Sequence, residues 1–263
     1  MTIAVEKIER VETFFDADWN EYARCYDALM YLAPYRRTIK KVATDVLFGP
    51  DGYVLDASCG TGNFEMIFSG IEKAGSFPVI GIDTSKEMLA RAKQKCKGSG
   101  NIIFAEVNLN QALPFPGGTF SQVVSINTLY AVKDPAVTLR EFHRVLTSQG
   151  KLHLVTPKHG YENGEMLRDH ARSTKSSEYW KEVHQSAKRE ELLIREAIKN
   201  ESVVSDMLTV ARHNRAIASN DNVFHFFQKK ELVDLLKKVG FVIQEVSLVS
   251  SDQDIFISAK KGT

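Results

Sequence analysis

No run of about 20 uncharged apolar residues occurs in this chain, so no membrane-spanning helix is expected. The N-terminus, MTIAVEKIERVETFF, is charged throughout and lacks the apolar core of a secretion signal. Neither sign of charge dominates: 34 basic and 33 acidic side chains leave a formal net charge of +1. No global field therefore draws the chain to nucleic acid or to an anionic membrane. Cysteine is scarce. Cys25, Cys59 and Cys96 are odd in number and lie far apart, which gives neither a disulfide framework nor a zinc spacing. They read as reduced thiols, a cytoplasmic location is the expectation, and no metal site is expected. Internal repeats and low-complexity segments are also lacking.

What is present is a globular composition, 43% hydrophobic and 25% charged over 263 residues. That suffices for one domain with a large core. Asp16 to Phe48 reads as helical, divided at Pro34 because proline breaks the backbone ladder. Phe14, Trp19, Tyr22, Tyr26 and Leu29 recur at helical spacing and form an aromatic face, for the core or for a lid.

Strands then alternate with helices. Tyr53–Ala57 is a short apolar run that reads as a buried strand, and Phe77–Asp83, Asn101–Val107, Ser121–Ile126 and Lys151–Thr156 read as four more strands. Between them, Asn63–Ile71 is helical, Ser85 caps a helix through Lys97, and Asp134-Pro135 opens one that ends at Gln149-Gly150. Such alternation implies parallel pairing with right-handed crossovers. After Pro157 the pattern stops. Residues 157–222 are polar and helical, with a narrow stripe of Leu192, Leu193, Ala197 and Ile198. Lys229–Val239 is amphipathic, Gly240 is its natural C-cap, and Phe241–Val249 and Ile255–Lys260 close the chain as antiparallel neighbours. The expected fold is α/β: a Rossmann-like, seven-stranded, mostly parallel sheet with an antiparallel last strand and helices on both faces. Residues 1–48 form a helical lid packed on the core, 49–156 and 223–263 the core, and 157–222 a helical cap inserted after the fifth strand.

The strongest local signal is Val54-Leu55-Asp56-Ala57-Ser58-Cys59-Gly60-Thr61-Gly62-Asn63. A strand enters a tight turn that opens a helix, and Gly60 and Gly62 let a ligand lie against backbone at the carboxyl end of the strand. Asp83 ends the second strand, 21 residues after Gly62, where a carboxylate can accept from both ribose hydroxyls of a nucleoside. A dinucleotide site would carry a third glycine, whereas Glu65 stands there, a poor neighbour for pyrophosphate. The features together indicate an adenosine cofactor without phosphates.

With these residues the sequence resembles the class I S-adenosylmethionine-dependent methyltransferase family, in its small-molecule branch. The resemblance covers about Tyr22 to Thr156 well and Phe224 to Lys260 more loosely. Leu55-Asp56 to Gly62 looks like the first motif, and Gly81-Ile82-Asp83-Thr84-Ser85 with Met88-Leu89 like the second. Asn108-Leu109-Asn110-Gln111-Ala112-Leu113-Pro114-Phe115 with Gly118-Thr119-Phe120 looks like the adenine-side motif. Ser125–Leu129 resembles the fourth-strand motif, and Glu141–Leu146 with Gly150 the following helix and turn. The resemblance implies S-adenosylmethionine as cofactor and a role for each residue. Asp56 would act through the turn on the methionine amino group. Ser58, Cys59 and Gly60 would line methionine and ribose with backbone. Asp83 would hold the ribose hydroxyls, and Thr84 and Met88 would flank adenine. Asn108 would take the adenine amino group and Leu109 offer its N–H. Asn127 would lie beside the methionine portion and Tyr130 near the methyl group. Ser58 departs from the usual glycine and Asn108 from the common aspartate, although an amide oxygen still accepts a hydrogen bond.

The implied reaction is methyl transfer to an O or N atom of a small molecule, with S-adenosylhomocysteine as product. A sulfonium methyl is already activated, so proximity and orientation, worth roughly 7–11 kcal/mol in favourable cases, carry most of the catalysis. A base is needed only for a protonated acceptor, and His159, His225 and Tyr130 are the candidates. His143, His153, Arg36 and Arg37 read as structural or solvated. The alternatives are a non-catalytic cofactor-binding scaffold, a protein or nucleic-acid methyltransferase, and a dehydrogenase. The intact Asp56, Gly60, Gly62 and Asp83 set opposes the first, near-neutral charge opposes nucleic acid, and Glu65 opposes the last.

Overall fold

A computed structural model describes residues 19–162, 164–172, 187–198, 200–218, 220 and 223–262. Phe14 lies outside these residues. Residues 19–25 are helical (α1), a 3-10 turn covers Tyr26–Tyr31, and α2 spans Ala33–Leu47 with Pro34 in its first turn, where its missing N–H costs nothing. The division of the N-terminal helices therefore falls at Leu32, just before the proline.

The sheet has strands β1 (Val54–Ala57), β2 (Val79–Asp83), β3 (Ile102–Glu106), β4 (Phe120–Ile126), β5 (Leu146–Pro157), β6 (Phe241–Val249) and β7 (Asp254–Lys261). Their order is β3-β2-β1-β4-β5-β7-β6. The pairs from β3 through β5 are parallel, and β7 runs antiparallel to both β5 and β6. This is the predicted α/β arrangement. The reversal between β2–β3 on one side of β1 and β4–β5 on the other places a crevice above the β1 and β4 tips.

The intervening helices are α3 (Asn63–Ser69), α4 (Lys86–Lys95), α5 (Pro135–Val145), α6 (Gly164–Arg172), α7 (Ala187–Ala197), α8 (Glu201–Ala218) and α9 (Lys229–Val239). Ser85 Oγ accepts the N–H of Met88 to cap α4, and Asp134 accepts from Ala136 and Val137 to cap α5. Gln228 and Glu231 form a reciprocal cap on α9, which ends at left-handed Gly240. One core lies between the sheet and α2, α3 and the 3-10 turn, the other between the sheet and α5 and α9.

Two sequence expectations need correction. The helix expected to reach Gln149-Gly150 stops at Val145, because Leu146 is fully buried and pairs with Phe120 as the first residue of β5. On α7 the buried stripe is Leu193, Ile194 and Ile198, while Leu192 is 58% exposed and faces water. No described helix is long and apolar enough to cross a membrane.

Candidate active site

The glycine turn after β1 is forced into left-handed backbone at Ser58 (φ 75), Gly60 (φ 54) and Gly62 (φ 79). For serine that conformation costs about 1–2 kcal/mol, which explains physically why glycine is the usual residue there. The N–H groups of Ser58 and Cys59 both donate to the Ile82 carbonyl, at 2.8 and 2.9 Å. Gly60 N–H donates to Asp83 Oδ2 at 3.0 Å, and Ser85 N–H to Asp83 Oδ1 at 2.9 Å. The Asp83 carboxylate thus ties the turn after β1 to the turn after β2. Burial raises its pKa against the pull of these N–H groups. Each oxygen keeps a lone pair for a hydroxyl donor.

Gly62 serves packing. A Cβ there would stand 3.1 Å from the backbone of Ala92, so this glycine lets α4 approach the start of α3. Asp56 and Glu65 lie buried together beneath the turn. Burial and mutual repulsion push the Asp56 carboxyl well up, and burial pushes Glu65 up to about 7. Gly81 makes this room, since a Cβ there would come within 2.6 Å of Glu65 Oε1. Glu65 therefore points under the turn and faces no ligand, so its bearing on pyrophosphate is lost. Asp56, Cys59 and Gly62 are not among the residues lining the cavity.

That cavity holds about 1010 Å³ and sits over the carboxyl rim of the sheet. Single-ligand pockets occupy roughly 300–1,000 Å³, so the volume suits two molecules side by side. Ser58, Gly60, Asp83, Thr84, Met88, Asn108, Leu109 and Asn127 line the half over β1, β2 and β4. Asn127 is left-handed (φ 52), and its buried Oδ1 accepts no hydrogen bond. An orphaned acceptor on a cavity wall fits a ligand's N–H donor. Asn108 Oδ1 accepts the N–H of Asn110 at 2.8 Å, which fixes the turn but leaves a lone pair free. The run from Leu113 to Phe115 is clamped by α5. Arg144 donates to the Leu113 and Phe115 carbonyls at 3.0 and 2.8 Å, and Glu141 accepts the Leu113 N–H at 2.8 Å.

The other half is aromatic: Tyr22, Tyr26, Tyr35, Tyr130, Tyr161 and Phe224 line it, with Asp254 at the start of β7. Trp19 and Leu29 reach the cavity as well, so the described part of the N-terminal aromatic face lines it. Lys95 ties the N-terminal segment to the glycine turn, donating to Asp27 at 2.6 Å, Asn63 at 2.6 Å and Thr61 at 3.1 Å. Ser85 bonds Asn20, and Tyr22 bonds Asn214 of α8 at 2.7 Å. Tyr130 is buried, and burial raises its phenol far above the usual value, so it stays protonated and cannot serve as a base at neutral pH. His159 is exposed and His225 half-buried, and neither lines the cavity. Their backbone N–H groups donate to the Phe227 and Tyr130 carbonyls. Arg37 pairs with Asp169 and Arg36 donates to the Met30 carbonyl, away from the cavity. His153 is buried against Gln122, and burial lowers its pKa to about 3.

Residues 49–240 match the family described as Methyltransferase domain. The chain belongs to that family. It is a class I S-adenosylmethionine-dependent methyltransferase. A Bacillus subtilis (strain 168) protein named as a methyltransferase, YqeM, is 28% identical over 239 residues, covering 89% of this chain and 90% of that one. The ubiquinone/menaquinone biosynthesis C-methyltransferase UbiE of Geotalea uraniireducens (strain Rf4) is 29% identical over 161 residues, covering 58% of this chain and 66% of that one. A solved SAM-dependent methyltransferase from Aquifex aeolicus has the same fold, with a TM-score of 0.54 at 17% identity, covering 90% of this chain and 97% of that one.

Tyr35, Tyr161, Asn214, Phe224 and Asp254 line the methyltransferase cavity without having been singled out in the sequence. One signal was available for Asp254. An antiparallel last strand must start on the rim where the parallel strands end, so its first residue faces the ligand side.

Proposed function

We propose that this enzyme transfers the methyl group to an O or N atom of a small-molecule acceptor held in the aromatic half of the cavity. The observation that carries this reading is one large cavity with two chemically different halves, one of turns and backbone, one of buried rings. Bound S-adenosylmethionine supplies an electrophilic methyl on a sulfonium. Asp83 accepts from the ribose hydroxyls, Asn108 and Leu109 recognise the adenine edge, and Thr84 and Met88 flank its faces. Asn127 Oδ1 accepts from the methionine amino group, and the backbone of Ser58 and Gly60 lies along the methionine and ribose. Asp56 stays beneath, holding the turn through its contact with Glu65. Residues 1–48 and 157–222 act as the cover, and 49–156 with 223–263 as the core. The cover excludes water, which strengthens the polar contacts inside and shields the methyl from hydrolysis.

The test is transfer of a radiolabelled methyl from S-adenosylmethionine into a metabolite extract, followed by product identification. Label in a small molecule at oxygen or nitrogen supports the reading. Label only in protein or nucleic acid, or at carbon, overturns it.

A further inference from the structure

Asp254 is 1% exposed and lines the cavity, yet its Oδ1 accepts no hydrogen bond. Ser250 bonds the carboxyl. An ionised carboxylate in such a place is costly unless a donor or a positive charge meets it. The chain holds it there at further expense: Ser250, Ser251 and Asp252 are all left-handed, at φ 52, 59 and 63. Strained segments of this kind persist where the rest of the fold over-determines them, and they cluster at ligand sites. Phenols line the same cavity. Tyr35 of α2, Tyr130 after β4 and Tyr161 after β5 each feel its charge. Ring faces attract cations. Among the described residues that line the cavity, the cationic ones, Lys86 and Lys133, stand on the cofactor half.

We propose that Asp254 anchors the acceptor and that the acceptor carries a basic nitrogen, held between this carboxylate and the tyrosine rings. A cation meets both features at once, whereas a neutral hydroxyl leaves the buried charge uncompensated and an anion is repelled. Asp254 pairs with Pro157 at the end of β5, and β5 pairs with β4. Two strand spacings therefore separate it from the β4 tip, about 10 Å. The basic nitrogen is the far-end anchor, and the methylated atom lies nearer Asn127. This inference rests on the small-molecule reading above.

Burial pushes the Asp254 carboxyl up to about 7. Tyr35, Tyr130 and Tyr161 are all pushed up by burial and stay neutral there. In the acceptor half the carboxyl raised toward neutrality is that of Asp254, so the acceptor's KM should rise as pH falls through about 7.

The experiment divides a metabolite extract by cation exchange into basic and non-basic fractions, then offers each with labelled S-adenosylmethionine. Label should enter the basic fraction. With that fraction, Asp254→Asn should lower kcat/KM at least about 30-fold and abolish the acidic rise in KM. S-adenosylhomocysteine affinity, measured by calorimetry, should stay within about twofold, which shows that the variant is folded. Label confined to the non-basic fraction, a flat wild-type pH profile, or an unimpaired variant overturns the anchor and leaves the small-molecule reading standing. Wild-type protein that binds S-adenosylhomocysteine but labels neither fraction overturns the small-molecule reading, and the anchor with it.

Discussion

The two halves of the cavity are built by opposite means. The cofactor half comes from a few residues at strand ends, and its geometry is mostly backbone: N–H groups, left-handed turns and one carboxylate, Asp83, that braces two turns at once. The other half comes from side chains on α1, α2, α8, the residues after β4 and β5, and the start of β7. A backbone-built site fixes one ligand, because few local conformations satisfy the turns. A side-chain-built site can be refitted one residue at a time without disturbing the sheet. The contrast teaches that this fold keeps its donor constant where the chain is constrained and chooses its acceptor where the chain is free.

The sharpest way to break that contrast is at Asp83. Asp83→Ala removes the proposed ribose acceptor and also the partner of the Gly60 and Ser85 N–H groups. Two charge-assisted bonds at about 1.5–3 kcal/mol each predict at least a 100-fold loss of S-adenosylmethionine affinity. Calorimetry should show it, and an affinity within threefold of wild type would remove Asp83 from the site. Arg144→Met probes the same half at a distance. It deletes the donors to Leu113 and Phe115 and leaves Glu141, whose carboxyl Arg144 holds below its usual range, without its cation. Since Arg144 is 39% exposed, water recovers part of the loss, and about 2 kcal/mol of stability is expected to go. Denaturant unfolding measures this. Cofactor affinity should fall about 10-fold, less than for Asp83→Ala, because the adenine loop loosens without losing its ligand groups.

The same contrast explains what could be read in advance. The turns of the cofactor half were legible because their residues are contiguous: Ser58–Gly62, Asp83–Ser85 and Asn108–Phe115 each announce a turn by type and spacing. The sheet was legible because buried parallel strands are short apolar runs. The β5 start was missed because Leu146 satisfies a helix pattern as well as a strand pattern, and only its pairing with Phe120 decides between them. Glu65 was misplaced because spacing places it at a helix start but not on a face, and the space opened by Gly81 directs it under the turn. The acceptor half was largely illegible. Tyr35, Tyr161, Asn214 and Asp254 are separated by long stretches of chain, and nothing local marks them as neighbours.

Lys95 joins the halves, so it sharpens the comparison. Its ammonium is largely buried and binds Asp27 of the N-terminal cover together with Thr61 and Asn63 of the glycine turn. Lys95→Met should loosen the cover while sparing Asp83. The expected result is a 5- to 10-fold rise in the acceptor's KM, about 1 kcal/mol, with a smaller change in cofactor affinity. Equal losses for both ligands would mean that the tether supports the turn and not the cover.

The smallest expected effect lies beneath the cofactor half. Both halves carry a buried carboxyl raised toward neutrality, but Glu65 has a second carboxyl beside it and Asp254 has phenols. A folded-state pKa above the unfolded one means that the native protein retains a proton the unfolded chain releases. The associated stability is complete below about 4.5 and is lost as pH rises through about 7 for Glu65. Glu65→Gln supplies an amide that donates to Asp56 at every pH. The variant should match wild type at about pH 5 and melt about 2–4 °C higher at about pH 8, for roughly 1 kcal/mol in a chain of this size. S-adenosylmethionine affinity should hold, because Glu65 does not line the cavity. A melting difference that stays flat between those pH values would mean that Asp56 and Glu65 do not share a proton, and the turn would then need another brace.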